Sequence, residues 1–354
     1  MKLLTIYVKI YGISGATLFL RAAREHNVKT EILQPTAANI LRCASHLKSG
    51  GLVAFPTETV YALGAVATDA DAVKKVYAVK DRPTDRPLIV AVAKKSDVYT
   101  VAKSVPEKAR VLIDKFMPGA LTVLLDRADC IPDAVTAGGE SVAVRIPDNE
   151  IALKLIGLAG KPVVVPSANT SEKPSPTLAK HVFDDLDGKI AYILDGGQSE
   201  IGIESTIIDV RTDPPSIMRV GGVSVADIEK TIGAVRVVRE NRRDSGKYVP
   251  RAEVLFSAYY DGMAENICRK YDELKAGGRN AVILCLDGNA EKYGSRRVYT
   301  VGADYAAYAH NMFAALRRAD EENADAVIAE GVKPDGIGLS LISRLVKTSG
   351  GIII

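Results

Sequence analysis

Three cations, Lys80, Arg82 and Arg86, crowd the stretch "VYAVKDRPTDRPLIV" beside Pro83 and Pro87, and no nucleophile stands among them. Cations projecting from a proline-stiffened turn suit the neutralisation of phosphate or carboxylate oxygens. Alone, a K-x-R run is a solvated basic loop; its company gives it interest. "VVVPSANTSEKPSPT" offers Ser167, Asn169, Ser175 and Thr177 straight after an apolar strand, where hydroxyls and an amide can bind anionic oxygens or simply build a turn. "PTETVYALGA" places Thr57, Glu58, Thr59 and Tyr61 after the strand "GLVAF", and "IGIESTIID" opens another strand with Ser205 and Thr206. Arg145 ends "SVAVR" and Arg219 ends "PSIMR", each a cation at a strand terminus.

In an open α/β sheet ligands gather outside strand ends, so these pieces can converge on one cationic, hydroxyl-rich cavity. Such a cavity suits a nucleoside triphosphate, where catalysis is positioning plus neutralisation of charge developing on phosphate oxygens. The chain has no G-x-x-x-x-G-K-[ST] loop, no G-x-S-x-G elbow and no H-E-x-x-H helix. Cys43, Cys130, Cys268 and Cys285 form no CxxC pair, which argues against zinc and against a disulfide framework and fits a reducing cytoplasm. His26, His46, His181 and His310 are equally scattered and read as helix-surface residues rather than ligands.

The elements that must position these groups follow from apolar periodicity. From Thr30 to about Gly233, short apolar runs alternate with helical patterns such as "ADAVKKVYAVK" (N-cap Asp69) and "EIALKLIGLAG". This predicts an α/β domain over residues 30–235 with one large, twisted, mostly mixed sheet. Residues 236–251, "RVVRENRRDSGKYVPR", are basic and polar and read as an interdomain linker. Residues 252–354 alternate strand and helix again, a smaller Rossmann-like α/β domain without a G-x-G-x-x-G loop. With 354 residues, 47% of them hydrophobic, and a net charge of +3, the chain has the makings of two cores, and any basic site must be local.

Residues 1–29 form an extension. "MKLLTIYVKIYGISGATLFL" is apolar, but Lys9 interrupts it and "RAAREHN" is a poor cleavage context, so the reading is non-secretory, cytoplasmic and without a membrane partner. An alternative is that the segment is not native, since patterning begins at "KTEIL", and that Val28 stands for the start Met.

The blocks "GGLVAFPTETVYALGA", "KDRPTDRPLIV", "FMPGALTVLL", "SVAVRIPD", "PSANTSEKPSPT", "ESTIIDV" and "MRVGG", in that order, resemble the YrdC-like domain. The second domain, ending "GIGLSLISRL", resembles that of the two-domain threonylcarbamoyl-AMP synthases. The resemblance implies a nucleotidyltransferase reaction: L-threonine, bicarbonate or carbon dioxide, and ATP give L-threonylcarbamoyladenylate and pyrophosphate. The product would pass to a tRNA threonylcarbamoyl transferase that modifies adenosine next to the anticodon; whether tRNA touches this chain stays open. The nucleophile would then come from the substrate, which accounts for cations without a Ser or Cys nucleophile.

Carried over by motif, Lys80 and Arg82 fall on the catalytic K-x-R pair. ATP contacts fall on Arg82, Arg86, Ser141, Ser167, Asn169, Ser175, Arg219 and Tyr248. L-threonine contacts fall on Thr59, Arg145, the backbone near Val165, and Ser205, with Arg145 suited to a bidentate grip on the carboxylate. Mg²⁺ would accompany ATP, held mainly by phosphate oxygens and water rather than by protein ligands. Arg86 replaces the family's usual Asn, Asp81 a Gly, Ala62 a Gly, and Ala91 a threonine-contacting His. The linker is short, with Tyr248 the best counterpart of a longer segment that folds over the nucleotide. Two other readings share the fold: a non-catalytic RNA-binding module, and a carbamoyl-transfer maturation factor, against which the lack of an acylphosphatase-like domain and Cys-rich repeats counts.

Overall fold

The computed structural model describes residues 28–238 and 250–354. The readings made of residues 1–27, and of Tyr248 and the rest of 239–249, lie outside the described residues. In chain order the elements are β1 (Glu31–Leu33), α1 (Ala37–Lys48), β2 (Val53–Phe55), β3 (Ala62–Val66), α2 (Ala70–Lys80), β4 (Ile89–Ala91), α3 (Val98–Val101), α4 (Glu107–Phe116), β5 (Leu121–Asp126), α5 (Asp133–Thr136), β6 (Ser141–Arg145), α6 (Glu150–Ala159), β7 (Val163–Val164), α7 (Ala179–Leu186), β8 (Tyr192–Leu194), β9 (Thr206–Asp209), β10 (Ser216–Arg219), α8 (Val225–Ile232) and β11 (Arg236–Val237). They continue with β12 (Glu253–Phe256), α9 (Met263–Ala276), β13 (Ala281–Cys285), β14 (Val298–Thr300), α10 (Tyr305–Glu321), β15 (Ala326–Ala329) and α11 (Gly338–Thr348).

Strands β1 to β11 make one mixed sheet in the order β1-β8-β2-β3-β7-β4-β6-β5-β9-β10-β11. β11 pairs with β10 through Arg236 and Val237, so the sheet runs two residues into the segment read as linker. β3 was not visible as a separate strand; "ALGAV" follows the hydroxyl-rich turn directly and turns back antiparallel on β2.

Register and the two-residue pleat decide which side chains share a face. On β6, Ser141, Ala143 and Arg145 point one way and Val142 and Val144 the other. Through the pairings Ile89↔Ala143, Ala91↔Arg145 and Ala91↔Val163, the first face also takes Val163, Val165 and Ser167. Antiparallel β5 places Thr122 on it beside Arg145, and parallel β9 continues it with Ile207 and Ser205. From β8 to β10 the opposite face is apolar apart from Thr206 and is buried with residues of α2, α4, α7 and α8. The first face is covered by α1 and α6, whose Ile40, Leu47, Leu155 and Ile156 pack on Val53, Phe55, Ala91 and Val163. That cluster ends at β4. Beyond it, on β6, β5 and β9, Ala143, Leu124 and Ile207 are only half-buried, while their neighbours Val142, Val123 and Ile208 are fully buried. The sheet thus leaves one open floor.

The second sheet is wholly parallel, ordered β12-β15-β13-β14, with α9 over one core and α10 and α11 over the other. Ile203, from the loop before β9, is fully buried within the α10 and α11 core, so the first unit donates a side chain to the second. Among the described residues no helix is long and apolar enough to cross a membrane.

Candidate active site

The K-x-R segment begins as a helix end. Asp69 caps α2 as read, accepting from Asp71 N (3.0 Å) and Ala72 N (3.1 Å), and Ala72, Val73, Val76 and Tyr77 bury one stripe. Lys80 is the last residue, and Asp81 terminates the helix in the left-handed region at φ 51°. A glycine, which the resemblance leads one to expect there, adopts this conformation freely, and Asp is among the few other residues that tolerate it.

Lys80 points inward and is only 2% exposed. Its ammonium donates to the carbonyl oxygens of both Ser167 and Asn169, which joins the K-x-R and S-x-N segments through a single nitrogen. The Lys80 carbonyl in turn accepts from Ser171 N at 2.7 Å. Burial pushes the ammonium down to about 7 and the nearby charge of Arg82 adds to this, while Asp185 opposes it. Lys80 is therefore first a clasp between two loops, with one N–H beyond its two carbonyl partners. Arg82 folds its guanidinium onto the loop, donating to the carbonyls of Pro87 (3.1 Å) and Arg86 (3.4 Å). Arg86 is half-buried, and its carbonyl also accepts from the Tyr77 hydroxyl at 2.8 Å. Ser141 opens β6 at this same end of the sheet, since Ile89 lies opposite Ala143.

Thr57 shapes the turn after β2: its Oγ1 donates to Val60 O (2.6 Å) and shares a hydrogen bond with Thr59 Oγ1 (2.8 Å). The turn presents Glu58 and Thr59 to Arg145. The guanidinium donates to Thr59 Oγ1 at 3.0 Å and pairs with Glu58, with Arg145 5% and Glu58 4% exposed. The fork expected to be free for a carboxylate is thus already half taken by an acid of the same chain. Arg145 Nε and Glu58 Oε2 have no partner among the described residues. Ala91, where the resemblance leads one to expect a His, lies beside Arg145 and is wholly buried.

Ser205 Oγ lies 2.8 Å from Thr122 Oγ1 and accepts from Arg219 at 3.1 Å, while Arg219 Nε donates to the Ser205 carbonyl at 3.0 Å. Ser175 donates to Glu204 Oε1 at 2.7 Å, and the other oxygen of Glu204 pairs with Arg344 on α11 at 2.6 Å. Asn169 donates to the carbonyls of Thr170 and Lys173, both at 2.9 Å, leaving its buried Oδ1 unpartnered among the described residues.

Backbone hydrogen bonds draw these groups together. Ile201 N and Gly202 N donate to the carbonyls of Glu58 (2.7 Å) and Thr59 (3.0 Å), and Ala168 N donates to that of Tyr61 (2.8 Å). Two open clefts lie outside the cluster. One, of about 540 Å³, borders the loop after Asn169 and is walled by Lys173, Asp185, Arg251 and Arg317. The other, of about 510 Å³, sits at the carboxyl ends of β12, β13 and β15 beside Tyr259, Tyr260 and Glu330. Glu204 and Arg344 were not singled out in sequence; an acid directly before the β9 hydroxyl pair was the available signal.

Residues 45–221 match a family model described as "Telomere recombination", and residues 223–350 one described as "Threonylcarbamoyl-AMP synthase, C-terminal domain". The threonylcarbamoyl-AMP synthase of Pyrococcus abyssi is 42% identical over 322 residues, covering 87% of this chain and 93% of that protein. That of Bacillus subtilis is 42% identical over 338 residues, covering 92% and 97%. The crystal structure of Pyrococcus abyssi Sua5 complexed with L-threonine superposes with a TM-score of 0.84 at 39% identity, over 92% of this chain and 98% of that one. Both parts of the chain match in order, and relatives align over nearly their whole length: the chain belongs to the threonylcarbamoyl-AMP synthase family.

Proposed function

We propose that this chain condenses L-threonine, carbon dioxide or bicarbonate, and ATP into L-threonylcarbamoyladenylate with release of pyrophosphate, for transfer to adenosine beside the anticodon of tRNA. The observation that carries the reading is the sharing of one sheet face by Ser141, Arg145, Val165, Ser167 and Ser205, whose open part lies on β6, β5 and β9. The L-threonine in the Pyrococcus abyssi Sua5 structure supports threonine as the amino acid.

In this reading threonine's neutral amine attacks carbon dioxide and loses one proton to solvent, forming a carbamate that keeps one N–H. A carbamate oxygen then attacks the α-phosphorus, and pyrophosphate leaves with the bonding pair. Neither step calls for a protein nucleophile. The Arg145 edge, with Nε uncommitted, takes the threonine carboxylate, and Thr59 and Ser205 line the same end. Lys80, Arg82, Arg86, Ser141, Ser167, Asn169, Ser175 and Arg219 form the nucleotide side. There Lys80 fixes Ser167 and Asn169 relative to the cationic loop, so the donors are oriented before charge develops. Mg²⁺ is assigned to the phosphate oxygens and water of bound ATP. Among the described residues no group of three or more His, Cys, Asp or Glu is gathered as a ligand set.

Pyrophosphate release from ATP, Mg²⁺ and bicarbonate with each amino acid in turn tests this. Release should depend on threonine and fall by about 10²-fold or more in Arg82→Ala and Lys80→Ala. Release indifferent to the amino acid, or near wild-type rates in both variants, would overturn it.

A further inference from the structure

One side chain of the second domain reaches a carboxylate that the candidate site also uses. Arg344 lies in α11 and is 0% exposed. Its Nε donates to Glu204 Oε2 at 2.6 Å and its Nη2 to the Val220 carbonyl at 3.0 Å. Glu204 spends its other oxygen on the Ser175 hydroxyl at 2.7 Å. One carboxylate therefore stands between an arginine of the second domain and a hydroxyl of the nucleotide side, and its own chain neighbour is Ser205, on the threonine side.

The surroundings leave this loop little freedom. A side-chain carbon on Gly221 would sit 2.3 Å from the Glu204 carbonyl oxygen and 2.4 Å from the Ser205 carbonyl carbon, so the backbone strands touch. Gly222 N donates to the Glu204 carbonyl at 3.0 Å, and Ser340, also on α11, donates to the Gly221 carbonyl at 2.8 Å. α11 thus grips both the loop and the segment that packs on it.

A buried ion pair is poor evidence of stabilisation, because apolar residues of the same volume often do as well. What an apolar pair cannot do is accept from Ser175 while bonding across the domain boundary. Building on the functional reading above, we propose that Arg344 is a positioning residue: by orienting Glu204 it sets Ser175 and Ser205 together, so the second domain tunes affinity for ATP and for threonine at once.

The test is steady-state pyrophosphate release by the full chain, with ATP and threonine varied separately and urea unfolding measured in parallel. The double variant Arg344→Met with Glu204→Leu removes both charges of the pair together. It should still unfold cooperatively, at a midpoint lowered by the unpaired Ser175 hydroxyl and Val220 carbonyl, yet raise KM for both substrates by about tenfold or more, where Ser175→Ala raises chiefly that for ATP and Ser205→Ala chiefly that for threonine. Arg344→Lys, which keeps the charge but cannot reach both Glu204 and Val220, serves if the double variant does not fold; both KM values should again rise together. Unchanged KM values in a folded variant, beside an active wild type, would overturn this proposal alone and reduce the pair to a domain clamp. A wild type that releases no pyrophosphate with threonine would overturn the functional reading and this proposal with it.

Discussion

Replacing Lys80 by Met should change how the protein responds to pH. In the folded chain burial drives the ammonium from its ordinary 10.5 to about 7, with Arg82 adding to the shift and Asp185 opposing it. The sign follows from proton counts. Between pH 7 and 10.5 the unfolded chain keeps the Lys80 proton and the folded chain has lost it, so stability rises with pH across this window and is flat on either side. The slope is about 1.4 kcal/mol per pH unit, and the whole window is worth about 5 kcal/mol. Lys80→Met removes the slope. It also deprives the Ser167 and Asn169 carbonyls of their donor, a cost of about 1–3 kcal/mol for each buried group left unpaired, but that offset does not vary with pH. The difference in unfolding free energy between wild type and variant, from urea titrations at pH steps from 6 to 10, should therefore climb in the wild type's favour.

The same shift gives a ligand signature. At pH 8 the free protein holds roughly one-tenth of a proton on Lys80, and a triphosphate bound beside it restores the charge, so binding should take up roughly 0.9 proton. Calorimetry of ATP binding in buffers of different ionisation enthalpy reads this directly, and Lys80→Met should take up none. A pH-independent stability difference together with buffer-independent binding enthalpies would refute the placement of Lys80 as a buried, low-pKa contact to phosphate.

Two further outcomes follow from buried contacts. Arg145→Leu leaves the Glu58 carboxylate buried without its cation and should cost about 3–5 kcal/mol in urea unfolding, whereas Arg145→Leu with Glu58→Leu should recover most of that stability without recovering threonine binding; equal losses in both variants would show that the pair is not the source. Gly202→Ala places a carbon 2.4 Å from the Ala309 carbonyl oxygen at a φ of +79°, so it should cost roughly 1–3 kcal/mol and raise KM for threonine through the Gly202 to Thr59 hydrogen bond; an unchanged melting temperature would remove the argument for close packing between this loop and α10.

What was legible in the sequence, and what was not, divides by the range of the interaction that decides it. α2 could be read because Asp69 and the Ala72, Val73, Val76 stripe lie within one helix, and β6 because Val142 and Val144 alternate with Ser141, Ala143 and Arg145 over five residues. β3 escaped because "ALGAV" has no polar alternation: both its faces are buried, so the period that marks a half-exposed strand is absent. At the site, the cations were legible by type and their partners were not. Lys80 meets Ser167 across 87 positions, Arg145 meets Glu58 across 87, and Arg344 meets Glu204 across 140, separations that no local pattern encodes. In sequence Glu58 stands with the hydroxyls of a candidate turn and Glu204 is not singled out; in the fold each is buried against an arginine. Their effect on function is geometric. A cation alone offers charge in many orientations, but an arginine already bonded to a buried carboxylate presents a fixed remaining edge, and the neighbouring Thr59 and Ser175 hydroxyls bond to members of the same pairs. The two acids therefore fix cations that would otherwise be free to turn: Glu58 through Arg145 of its own domain, and Glu204 through Arg344 of the second, a contact that only the two packed domains together supply.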